Sequence, residues 1–240
     1  MIDKVNDQDV ITKDYSLFFG DCLERMKEIP DGSIDLCVSD IPYKLTGGGK
    51  GDGVNSKRPK GILQDNNQLM KFPKFKDWLP ELYRVMKDES HIYLMCNFLN
   101  LNQLMNDVQE AGFKMINLLV WEKNNCTPSQ FYMKNCEYTL LIRKGKSKYI
   151  NNIGASKTVH KFDNIIGNKV HPTEKPVELM KFYIENSSNK GGKVLDMFMG
   201  SCSTGVACLN TNRKFIGVEM DEKYFDISVN RMKNCYDLRQ

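Results

Sequence analysis

An apolar, strand-like run from Ile34 to Ser39 ends in Asp40-Ile41-Pro42-Tyr43. A carboxylate, peptide carbonyls and a flat ring are thereby gathered where a strand leaves a sheet. That set suits a planar base carrying an exocyclic amine. Such an amine is a poor nucleophile, because its lone pair is delocalised into the ring. It needs acceptors that hold its hydrogens and favour a pyramidal nitrogen. Asp40 offers a carboxylate and the Ile41 peptide a carbonyl. Pro42 stiffens the turn and brings no competing N–H. Tyr43 offers a face for stacking. Read alone, Asp-x-Pro-Tyr is also an ordinary turn, so its meaning depends on its company.

That company is the second cluster, Val194-Leu195-Asp196-Met197-Phe198-Met199-Gly200-Ser201-Cys202-Ser203-Thr204-Gly205. A strand ends at Asp196 and turns through two glycines into a helix. Small residues let a ligand approach the backbone, and a helix start offers free N–H groups. The next apolar run, Phe215 to Glu219, ends in an acid of the kind that accepts hydrogen bonds from ribose hydroxyls. Gly200 and Gly205 have the P-loop spacing, but Val206 and Ala207 stand where lysine and serine or threonine are required. A dinucleotide fingerprint would place glycine where Cys202 stands. S-adenosylmethionine remains, its ribose suited to an acid and its carboxylate to backbone N–H groups. A strand-turn-helix with no ligand is the plainer alternative. In line with a sulfonium methyl, a held amine would react by direct displacement, with orientation supplying much of the acceleration. A base inside a duplex must first be flipped out to reach such a pocket.

Elements must hold these clusters. Short apolar runs at 17–19, 34–38, 91–95, 115–121, 138–142, 193–197 and 215–220 suit buried strands. Helical patterns lie between them at 21–28, 68–86, 100–110, 177–187, 203–209 and 221–232. Pro73 and Pro80 imply a late start or breaks in the second of these. Strands alternating with helices predict an α/β sheet with helices on both faces. The 138–142 run follows 115–121 without a helix between, which predicts a local antiparallel pair.

The chain has 240 residues, 41% hydrophobic and 27% charged, which suits one large domain. No apolar stretch approaches a membrane span, and the first residues lack a signal-peptide pattern, so a cytoplasmic protein is expected. The eight cysteines form no Cys-x-x-Cys, and the three histidines flank none of them at zinc spacing; reduced thiols and no metal are expected. The net charge of +4 is unevenly spread: residues 44–76 carry +6 and residues 123–161 carry +7, leaving −9 for the rest. Two basic segments on an acidic body suggest a polyanion partner as readily as two solvated lysine-rich loops.

Together these residues resemble the amino-group DNA methyltransferases, which modify N6 of adenine or N4 of cytosine. Because the catalytic run comes first and the cofactor loop late, the order is similar to the circularly permuted β-group of that family. The likeness extends from Asp14 to Met232. It includes Gly20-Asp21-Cys22, Trp121-Glu122-Lys123, Asn135 to Lys144 and the specific motif His171-Pro172-Thr173-Glu174-Lys175-Pro176.

The resemblance implies a Rossmann-like S-adenosylmethionine-dependent fold, a mixed seven-stranded sheet with one antiparallel strand. Asp40, Ile41, Pro42 and Tyr43 would be the catalytic tetrad. Asp21 and Cys22 would lie near the cofactor adenine. Thr173, Lys175, Asp196, Phe198, Gly200, Ser201, Ser203 and Thr204 would line the methionine side, and Glu219 the ribose. Ile41 replaces a usual proline, Met197 another, and Cys202 a glycine, which puts a side chain where the backbone should approach. The acid at 40 looks like the adenine version, since cytosine enzymes usually begin the tetrad with serine. The expectation is N6-adenine methylation of a short duplex DNA site. The alternatives are N4-cytosine methylation, methylation of an RNA or protein amine, and a catalytically weak member that only binds DNA. Residues 44–76 are expected to be a mobile basic loop and following helix, and 123–170 a target-recognition segment. Lys44, Lys57, Arg58, Lys60, Lys123, Lys134, Arg143 and Lys144 are the expected DNA contacts. A homodimer and a cognate restriction endonuclease are assemblies the resemblance allows.

Overall fold

The computed structural model describes residues 6–42, 73–127, 131–167 and 174–239. Nine strands form one sheet: β1 (Val10–Ile11), β2 (Tyr15–Phe19), β3 (Ile34–Asp40), β4 (Met86–Cys96), β5 (Lys114–Thr127), β6 (Lys134–Arg143), β7 (Val159–Lys161), β8 (Lys193–Asp196) and β9 (Lys214–Glu219). Their order is β1-β2-β9-β8-β3-β4-β6-β5-β7. Strands β2, β9, β8, β3 and β4 are mutually parallel, and β6 runs against both β4 and β5. The seven central strands with one reversed are those expected. The count is corrected to nine by β1, antiparallel at one edge, and β7, parallel to β5 at the other.

The parallel strands are apolar on both faces, as burial on both sides demands. In β3, Cys37 and Ile41 just beyond it face one layer, and Leu36 and Val38 the other. Helices α1 (Cys22–Met26), α2 (Phe75–Val85) and α3 (Phe98–Glu110) cover the first face through Met26, Trp78, Leu82 and Val108. Helices α4 (Val177–Ser187), α5 (Ser203–Asn210) and α6 (Glu222–Asp237) cover the second through Tyr183, Leu209 and Phe225. Helix α2 starts after Pro73 as expected but runs on through Pro80. Its apolar stripe of Phe75, Trp78, Leu79, Leu82 and Val85 is buried, and that packing outweighs the one backbone bond a proline removes.

Beyond β8 the chain turns to β9 on one side, and beyond β3 it turns to β4 on the other. Adjacent parallel strands whose continuations diverge leave a crevice at their carboxyl ends. Asp40 and Asp196 are the last residues of β3 and β8. All eight cysteines are free thiols. Among the described residues no helix is long and apolar enough to cross a membrane.

Candidate active site

The crevice is a cleft of about 550 Å³. Its lining includes Asp40, Ile41 and Pro42 from one cluster and Asp196, Phe198, Gly200, Ser201, Ser203 and Thr204 from the other. Asp21, Cys22, Lys175 and Glu219 line it too. Clusters more than 150 residues apart thus share one cavity, and a direct bond joins them: Ser39 Oγ donates to Asp196 Oδ1 at 2.7 Å.

Asp196 is fully engaged. Besides Ser39, its Oδ1 accepts from the Phe198 N–H at 3.2 Å, and its Oδ2 accepts from Thr204 Oγ1 at 2.7 Å. Burial pushes its carboxyl up to about 6, against the pull of these donors. The side chain therefore ties β3, the turn after β8 and the start of α5 into one piece. Thr204, expected at the cofactor, directs its hydroxyl to this brace.

Asp40 is differently placed. Lys175 Nζ donates to its Oδ2. Its Oδ1 is buried and has no partner among the described residues. Burial raises its carboxyl above the usual range; Lys175 opposes the rise and Glu137 adds to it. Lys175 also approaches Glu137 Oε2 at 3.4 Å, and Lys123 Nζ donates to Glu137 Oε1 at 3.0 Å. Burial works to raise the Glu137 carboxyl, but the two lysines more than offset it, and it titrates low. A half-buried row of alternating charges, Asp40, Lys175, Glu137 and Lys123, thus adjoins the cleft. Buried charges survive when paired in this way.

Ile41 is buried in the core, and its N–H donates to Met95 O at 3.3 Å. It thereby adds a β3–β4 bond that a proline could not make. Cys202 has φ +65°, a left-handed residue at the start of α5, which explains why a glycine fits there. Its side chain is fully buried in the second core layer and does not line the cleft. The expectation that it obstructs the ligand is therefore corrected: the strained backbone aims the thiol inward. There it crowds Gly205, where an added Cβ would lie 2.4 Å from Cys202 Sγ.

Glu219 holds the turn of the cleft by accepting from the Gly200 N–H at 2.9 Å and the Asp221 N–H at 2.9 Å. Burial raises its carboxyl and these N–H groups oppose the rise. Asp21 caps α1, accepting from the Leu23 N–H at 2.8 Å. At the other end, Arg231 from α6 reaches Glu174 Oε1 at 2.7 Å, Ser201 O at 3.0 Å and Ser203 Oγ at 3.4 Å. It joins the Glu174-Lys175 segment to the serine turn. Phe198 packs edge-on against Trp78, their rings 5.7 Å apart.

These residues fit a nucleoside joined to an amino acid. The acids Asp21 and Glu219, the hydroxyls of Ser201 and Ser203, Lys175 and the apolar side chains of Leu23, Phe198 and Met220 all line the one cleft.

Sequence reasoning passed over Glu137 and Arg231, and it noted Ser39 only for its identity. Glu137 had a signal: it is the sole acid in the basic stretch 123–161. Tyr43, Lys44, Lys57, Arg58, Lys60 and Thr173 lie outside the described residues. Of the other expected DNA contacts, Lys134 is exposed at the start of β6, on the cleft side of the sheet. Three lie elsewhere. Lys123 is turned inward to Glu137, its side chain 10% exposed. Arg143 pairs with His91 on β4, whereas Asp40 is level with Met95, so Arg143 sits about 13 Å down the sheet. Lys144 beside it donates to Met86 O at 2.8 Å and covers the Tyr83 ring. Arg143 and Lys144 belong to the end of the sheet away from the cleft.

A family model described as DNA methylase matches residues 34–230. The type II methyltransferase M.HinfI of Haemophilus influenzae is 28% identical over 240 residues, covering 89% of this chain and 67% of that protein. The crystal structure of the M1.HpyAVI–SAM complex superposes with a TM-score of 0.68 at 24% identity, covering 90% of this chain and 99% of that one. The PvuII DNA methyltransferase, described as cytosine-N4-specific, superposes with a TM-score of 0.70 at 19% identity, covering 94% and 92%. At these identities the two structures establish a shared fold.

Proposed function

The chain belongs to the N6/N4 DNA methylase family, and from that premise we propose that it methylates N6 of an adenine flipped from duplex DNA, with S-adenosylmethionine as donor. One observation carries the proposal: Asp40 lines the same cleft as the serine turn and Glu219, and its buried Oδ1 has no hydrogen-bond partner among the described residues.

Glu219 and Asp21 would hold the adenosine, and Ser201, Ser203 and Lys175 the amino-acid part. When bound, the donor supplies an electrophilic sulfonium methyl. The chain's own residues supply the nucleophile's geometry. Lys175 fixes one oxygen of Asp40 and leaves the other, Oδ1, for the incoming amine. Oδ1 accepts one hydrogen of the exocyclic amine and the Ile41 carbonyl accepts the second. Held at both hydrogens, the nitrogen loses conjugation with the ring and turns its lone pair outward. As the new N–C bond forms and the S–C bond breaks, the nitrogen sheds a proton. Asp40, its carboxyl raised by burial, is the acceptor beside it. No covalent enzyme intermediate is required.

The acid at position 40 favours adenine. N4-cytosine methylation is the second reading, favoured by the PvuII likeness. Labelled methyl transfer into mixed-sequence duplex DNA, followed by nucleoside analysis, tests the choice. The expected product is N6-methyladenine; N4-methylcytosine alone would overturn the base assignment.

A further inference from the structure

Strands β5 and β6 run on beyond the level of the cleft. Asp40 is level with Met95 and Met95 with Thr139, while β6 begins at Lys134, paired with Thr127. Five further residues carry β6 about 17 Å past Asp40. Just before Lys134 the chain exposes three large apolar side chains in succession: Phe131 is 90% exposed, Tyr132 91% and Met133 63%. Exposed apolar residues scattered singly are ordinary, but three in sequence on one protruding arm mark a contact surface.

The arm is rooted in the site. Glu137, three residues along from Lys134, lies in the charge row with Asp40. Lys134 itself is exposed. An aromatic tip beside a lysine, on the edge where a flipped base would enter, has the chemistry of a side chain that enters a base stack. Proteins that kink or open duplexes insert apolar wedges between base steps, and bases stack on aromatic rings without regard to sequence. A base that leaves the helix leaves a gap of the same flat, apolar kind.

Resting on the methyltransferase reading above, we propose that Tyr132, flanked by Phe131 and Met133, is the wedge that occupies the duplex when a base swings into the Asp40 cleft. The partner is duplex DNA, recognised at this point by stacking and not by charge.

The test uses the full chain, labelled donor and unmethylated plasmid DNA of mixed sequence. Tyr132→Ala is expected to lower kcat/KM for DNA at least tenfold, with donor affinity and thermal melting unchanged. Tyr132→Trp is expected to retain activity within threefold, because it restores a stacking face without the hydroxyl. The proposal is overturned if Tyr132→Ala stays within twofold of the parent or if Tyr132→Trp is as poor as alanine. It is also overturned if Tyr132→Ala converts a dimer to a monomer, which would make the tip a contact between two copies. Failure of the unsubstituted chain to transfer methyl to any DNA would instead bring down the methyltransferase reading itself.

Discussion

Two aspartates end two neighbouring parallel strands, and the structure treats them oppositely. Asp196, at the end of β8, has both oxygens satisfied by Ser39, Thr204 and the Phe198 N–H. Asp40, at the end of β3, has one oxygen held by Lys175 and the other buried without a partner among the described residues. The first is a brace; the second is the acid we propose acts on the amine. Position at a strand end does not decide which is which; the donors that reach each carboxylate do. A fully buried carboxylate that already meets three protein donors has little left to offer a ligand, whereas an oxygen that meets none has its whole capacity to spare.

The largest effect that separates the two is on transfer. Asp40→Ala should reduce methyl transfer at least a thousandfold, about 4 kcal/mol at the barrier, with donor affinity measured by calorimetry unchanged. Asp196→Ala should act on stability instead. It leaves the buried Ser39 and Thr204 hydroxyls without their acceptor, for a loss of about 3 kcal/mol in chemical denaturation.

A pH series sharpens the same contrast. The Asp196 carboxyl is raised to about 6 in the folded chain from the ordinary aspartate value near 3.8. The folded state therefore keeps a proton that the unfolded chain has given up. Its contribution to stability is present below about pH 4 and is lost as pH rises towards 6, a change of roughly 3 kcal/mol. Asp196→Asn should flatten that slope, read from denaturation midpoints at successive pH values. Smaller still, Arg231→Ala should raise KM for the donor several-fold with kcat retained, since Arg231 steadies the serine turn and touches no reacting atom. Cys202→Gly should leave the donor dissociation constant within threefold, because the thiol points into the core.

Much of this contrast could be read in the sequence, but not all. Asp40 and Asp196 were both visible as strand-ending acids, since apolar runs broken by an acid and turn residues mark where a sheet stops. Their division of labour was not, because it depends on Ser39 and Thr204, whose partners are set by the packing of β3 against β8. Strands β1 and β7, of two and three residues, are too short to carry an alternating pattern. The basic stretch 123–161 was legible only as a sum of charges. The antiparallel pair β5–β6 turns Lys123 inward and sends Arg143 and Lys144 to the end of the sheet away from the cleft. Charge counted along a chain carries no information about which end of a strand faces the cleft. The left-handed backbone at Cys202 was foreshadowed, because a glycine is what the turn prefers there. That its side chain would point away from the ligand was not.

The most direct measurement sets Asp40→Asn beside Asp196→Asn, each assayed for methyl transfer to duplex DNA and for thermal melting. If the division of labour holds, Asp40→Asn loses transfer while melting with the parent, and Asp196→Asn shifts its melting behaviour with pH while retaining far more transfer. Equal transfer from Asp40→Asn and the parent would contradict it outright.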